Sequence, residues 1–164
     1  MASRNYFRAT LLLLFFSFSA RVSSQNLPFK HFSTLDGLPS QTVYEALQDK
    51  QGFIWFATSA GISRYDGYHF TNYSLEDGLP DNDIFGFYED PLGRIWLRSM
   101  NGKISYIHNG KIHNAQNTPA LKKFDRSSQI MRIVGTTDSA ILITHYLEGV
   151  VKCSFDLEKE EENA

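Results

Sequence analysis

An all-β fold assembled from repeated units of four antiparallel strands is what this sequence predicts, and three observations carry the prediction. Residues 36–65 recur 41 positions later as residues 77–106. Turn-forming residues cut each copy into short segments, and those segments are rich in β-branched and aromatic side chains. Asp36-Gly37-Leu38-Pro39 returns as Asp77-Gly78-Leu79-Pro80, Asp49-x-x-Gly52-x-Ile54-Trp55 as Asp90-x-x-Gly93-x-Ile95-Trp96, and Gly61 and Tyr65 as Gly102 and Tyr106. Ten of the thirty paired positions are identical, where average residue usage gives roughly two by chance. Common ancestry of the two units is the simplest reading.

Within the first unit the strand segments are 42–48, 53–58, 61–65 and 68–73. Asp49-Lys50-Gln51-Gly52 separates the first two: Asp can bond the backbone ahead of it and Gly can take the left-handed conformation that closes a hairpin. Pro91-Leu92 fits the same turn in the second unit. Ser59-Ala60 and Met100-Asn101 make the next tight connection, and Asp66-Gly67 the third. Four antiparallel strands in about 41 residues make a β-propeller blade. Trp55 and Trp96 occupy one equivalent strand position, so they are expected to pack blade against blade. Asp49, Gly52, Asp90 and Gly93 read as hairpin residues. A paired-carboxylate reading of Asp49 and Asp90 is weaker, because each belongs to a different blade.

Phe29, Phe32 and Ser33 lie 41 residues before Phe70, Tyr73 and Ser74, which predicts a strand over 29–33, the outer strand of a blade completed from elsewhere. A fainter third copy covers 130–155, with Gly149 and Val151 answering Gly102 and Ile104. The expected blade units are therefore about 36–76, 77–115 and 128–155. Closed propellers use four to eight blades, so about three blades form an open arc, an incomplete propeller whose bare edges favour association.

Residues 1–24 run from basic Arg4 and Arg8 through the apolar 9–16 to the small-residue exit Val22-Ser23-Ser24, the order of a secretory signal peptide. The apolar stretch is too short for a membrane span of roughly 20 residues; a non-cleaved anchor is the alternative. Processing near Gln25 places the mature chain on the periplasmic or extracellular side of the inner membrane. It removes three arginines and no acid, leaving 13 basic against 18 acidic side chains, a balance of −5. That balance disfavours a nucleic-acid partner. Residues 156–164 form an acidic tail, and the lone Cys153 allows no intrachain disulfide.

His31, His69, His108, His113 and His145 show neither a two-His helical spacing nor a cysteine cluster, so no metal is expected. Phosphate-cradling loops, nucleophile elbows and kinase signatures do not occur, and neither a cofactor nor a catalytic residue is predicted. Ligand contacts are expected where the loop leading into the first strand of a blade meets the loop between its second and third strands, since both emerge on one face. Gln41, Ser59, Asp81, Asn82 and Asn101 are the candidates. Bonding within their own turns is the competing role for Gln41 and Asn82.

These residues resemble the two-component regulator propeller repeat of bacterial periplasmic sensors: Asp36-Gly37-Leu38, Asp49 with Gly52 and Trp55, then Gly61-Ile62-Ser63-Arg64-Tyr65-Asp66-Gly67. The second unit matches through Trp96 and then departs, lacking the Arg and the Asp-Gly. The resemblance implies the N-terminal, ligand-sensing part of a larger signal-transduction protein. Further blades and a kinase region would follow, a homodimer would form, and an oligosaccharide would be the ligand. A fragment of a propeller glycosidase or lyase and a protein-interaction scaffold are the alternatives, because fold does not fix function.

Overall fold

The structure is a computed structural model, and it describes residues 29–137 and 140–154. The leader at 1–24 and the acidic tail at 156–164 lie outside the described residues. Residues 29–31 belong to a first unit and Phe32 onward to a second, and the description below is of the second.

Eleven strands form three antiparallel sheets among the described residues. The first sheet is β1 (Val43–Gln48), β2 (Ile54–Thr58), β3 (Gly61–Tyr65) and β4 (Phe70–Tyr73), paired in chain order. The second is β5 (Ile84–Glu89), β6 (Ile95–Ser99), β7 (Tyr106–His108) and β8 (Lys111–His113), and the third is β9 (Ile130–Gly135), β10 (Ile141–His145) and β11 (Gly149–Cys153). Each is a blade. The first two have four strands and the third has three among the described residues. First strands neighbour one another, β1 against β5 and β5 against β9, as in a propeller whose blades radiate from a centre.

Strand alternation sends one face of each blade into the next. Trp55, Ala57 and Ile62 of the first blade share a buried cluster with Leu79, Ile84, Phe87 and Ile107 of the second. Trp96, Ile104 and Tyr106 share another with Ile130, Ile133, Ile141 and Ile143 of the third. The two tryptophans are thus the blade-to-blade packing residues. Trp55 stacks on Tyr73 at 5.9 Å and meets Phe87 edge-on at 6.4 Å.

The Asp-x-x-Gly-x-x-Trp motif locks each first hairpin. One oxygen of Asp49 accepts the N–H groups of Gln51 (2.9 Å) and Phe53 (3.0 Å), and the other accepts Trp55 Nε1–H at 2.7 Å. Asp90 repeats this with Leu92, Arg94 and Trp96. A single carboxylate therefore fixes both the turn and the indole that fills the blade interface.

The Asp-Gly-Leu-Pro motif makes a capped 3₁₀ turn before the first strand of each blade, Thr34–Asp36 and Leu75–Asp77. Ser33 and Ser74 cap the turns, and Asp36 and Asp77 each accept the cap's N–H at 2.8 Å. Leu38 and Leu79 then enter the core.

Residues 29–33 form no strand, contrary to the expectation drawn from the 41-residue offset. The shared serine is a turn cap rather than a strand residue. Phe32 instead packs its ring on Tyr65 (4.9 Å) and Phe70 (5.3 Å). A further 3₁₀ segment, Pro119–Phe124, fills the stretch between the second and third units and buries Leu121 and Phe124.

Candidate functional site

The predicted loops do gather on one face of the blades, and backbone bonds knit them across blade boundaries. Gly61 donates its N–H to Asn82 O at 2.7 Å, while within the second blade Met100 donates to Asp83 O at 3.1 Å. Four of the five candidate side chains lie in that network or beside it. Ser59 Oγ is 2.9 Å from Ser40 Oγ. Asp81 accepts the N–H of Asp83 at 3.2 Å, and Asn82 Oδ1 accepts that of Leu75 at 3.4 Å. Asn101 donates from Nδ2 to Pro80 O at 2.5 Å and accepts Lys103 N–H at 3.1 Å. Gln41 is exposed. The polar atoms of Asp81, Asn82 and Asn101 thus hold loop geometry.

A cavity of about 500 Å³ lies beside the second blade, lined by Leu75, Gly78 to Pro80, Lys103 and Ile104, Asn114 to Gln116, Lys122 and Asp125. Its walls are tied. Asn114 donates from Nδ2 to Gly78 O, and Asp125 Oδ1 accepts Ile104 N–H, both at 2.8 Å. Sequence reasoning missed Gln116, Lys122 and Asp125 because they fall between the repeat units, and Asn114 because it ends the second unit outside the repeated motifs. The available signal was Pro119 opening a turn with apolar Leu121 and Phe124 three apart.

At the centre, Arg98 joins all three blades. It pairs with Glu45 of β1, donates to Phe85 O of β5 at 3.0 Å, and donates to Met131 O of β9 at 3.0 Å. Glu45 also accepts the N–H of Phe87 at 3.2 Å. Gly86 makes this possible: a Cβ there would occupy the space of the Arg98 guanidinium and the Glu45 carboxylate.

Titration is shifted at a few groups. Burial, with Lys111 and His108 close by, pushes His113 below the ordinary imidazole value. Backbone N–H groups of His69 and Tyr68 lower Asp66, and a hydrogen bond from Ser127 lowers Glu148. Asp49 and Asp90 serve their own hairpins, so the geometry gives no support to a carboxylate pair. Among the described residues no three of His, Cys, Asp and Glu converge as a metal site would need.

Residues 37–60 and 78–101 each match the sequence profile of the two component regulator propeller. A curated relative, Histidine kinase P4 of Formosa agariphila, is 34% identical over 62 residues, which is 38% of this chain and 4% of that protein. The extracellular domain of a B. thetaiotaomicron protein described as a hybrid two component system superposes with a TM-score of 0.60 at 20% identity, over 79% of this chain and 18% of that one. A streptogramin B lyase superposes with a TM-score of 0.52 at 16% identity, over 73% of this chain and 43% of that one. The chain thus spans a small part of the relatives it matches, and at such identities the two superpositions speak to the fold alone. Residues 37–60 and 78–101, each holding the first two strands of one of two consecutive β-propeller blades, are therefore similar to the two component regulator propeller repeat.

Proposed function

We propose that this chain is an extracytoplasmic ligand-sensing module of a bacterial two-component system and that it responds to saccharides. The observation that carries the reading is the match of residues 37–60 and 78–101, in the first two blades, to the regulator propeller profile. The fold shared with an extracellular domain of that system type supports it. The carboxylates at the repeat positions, Asp49 and Asp90, are spent on hairpins and serve the frame. Among the described residues no helix is long and apolar enough to cross a membrane. In this reading the N-terminal leader exports the chain, and a kinase region in the same protein carries the signal onward.

Incubating the purified protein with a panel of oligosaccharides tests this. Calorimetry reads binding and chromatography reads products. Binding without turnover supports a sensor. Product formation replaces it with the glycosidase or lyase reading, and neither result leaves an interaction scaffold.

A further inference from the structure

The cavity beside the second blade has a composition that selects among saccharides, and we infer that it takes an acidic oligosaccharide, one whose rings carry carboxylate or sulfate groups. The inference rests on the saccharide-sensing reading and adds the ligand class and the residues. Leu79 and Ile104, both buried, form the floor. Lys103 and Lys122 stand exposed at the rim, and neither takes part in an ion pair among the described residues. Gln116 adds an amide group to the same wall, where Asn114 is tied, donating to Gly78 O and accepting the N–H groups of Gln116 and Asn117.

Two features decide the ligand class. Among the described residues no aromatic side chain lines the cavity, so a sugar would find no ring to pack on there and its contacts would rest on the polar and charged groups of the lining. What remains is an excess of positive charge at the mouth with the Gln116 amide beside it. The single carboxylate, Asp125, accepts Ile104 N–H and keeps its charge, so the lining carries two cations against one anion. The site is also formed in advance: the bonds from Asn114 to Gly78 and from Asn101 to Pro80 hold its sides before any ligand arrives, so little ordering cost opposes binding.

The test uses the purified protein with four probes: trigalacturonic acid, a sulfated chondroitin disaccharide, maltotriose and inorganic sulfate. Calorimetry gives affinities for the wild type and for the K103Q, K122Q and double variants, and circular dichroism checks the fold. At least one acidic saccharide should bind, each single variant should weaken it by roughly two- to tenfold, and affinity should fall with added salt. Amide chemical shifts in the wild type should move at Lys103, Ile104 and Gln116, which locates the ligand without any substitution. Maltotriose binding as tightly as the acidic sugars, or unchanged affinity in a folded double variant, overturns the inference while the sensor reading stands. Sulfate alone binding as tightly as the sugars also overturns it, since the cavity would then be a simple anion site. Failure of every saccharide to bind removes both readings.

Discussion

Substituting Asp90 by asparagine isolates what the repeat's carboxylate contributes. Asp90 is 2% exposed and accepts four hydrogen bonds: Leu92 N–H (2.9 Å), Arg94 N–H (3.0 Å), Arg94 Nε–H (2.5 Å) and Trp96 Nε1–H (2.9 Å). Asparagine keeps one acceptor oxygen for the turn and turns its NH₂ toward two donors. Each buried donor left without a partner costs about 1–3 kcal/mol, and a buried arginine deprived of its carboxylate costs about 3–5 kcal/mol. These terms describe overlapping losses, so about 4 kcal/mol is expected rather than their total. Asp49 makes the same turn and indole bonds without an arginine, so D49N should cost only about 1–3 kcal/mol. Urea unfolding followed by tryptophan fluorescence measures both. A D90N variant no less stable than D49N would refute the assignment, as would Arg94→Met failing to recover part of the D90N loss in a double-mutant cycle.

Gly86→Ala should force Arg98 away from Glu45 and from the carbonyls of Phe85 and Met131; a loss of about 1–3 kcal/mol is expected, shrinking in an R98A background. His113 gives a pH dependence. Its folded-state value lies below the ordinary imidazole value through burial, Lys111 and His108, so the unfolded chain binds the proton more readily. Stability is then full above about pH 6.5 and is lost as pH falls toward the folded value. Thermal melts between pH 5 and 8 should show that slope, and H113Q should flatten it. Export should remove residues 1–24, and intact-mass analysis of periplasmic material should give a chain beginning near Gln25; retention of Met1 removes the cleavage expectation.

Legibility in this sequence followed repeated local chemistry. Asp49 and Asp90 could be placed in hairpins because the same carboxylate does the same two jobs in each blade, and selection for those jobs keeps the residues identical. The third blade was faint because its hairpin is closed otherwise: Thr136 donates from both N–H and Oγ1 to Ala140 O at 2.8 and 2.9 Å. Leu142, half-buried, stands in β10 where Trp96 stands in β6. A threonine and a leucine meet these needs without leaving a motif. The error at residues 29–33 has the opposite origin. The offset match there was real, but Ser33 was shared as a turn cap, and a strand requires a neighbour that composition cannot announce.

The binding face divides along the same line. A polar loop residue such as Asn101 is visible in sequence, yet nothing in its identity says whether its amide faces solvent or a carbonyl in its own blade. Here it bonds Pro80 O. Lys103 and Lys122 carry the opposite ambiguity: each alone reads as a solvated surface charge. Only the 3₁₀ segment Pro119–Phe124, pinned by buried Leu121 and Phe124, brings the second lysine to the cavity that the first one borders. The repeat supplies a frame whose residues cannot vary without cost. The segment between repeats is free of those duties, and chemistry that differs from one relative to the next can accumulate there. In this chain that segment carries Gln116 and Lys122, so the search for specificity belongs in the gap between the motifs.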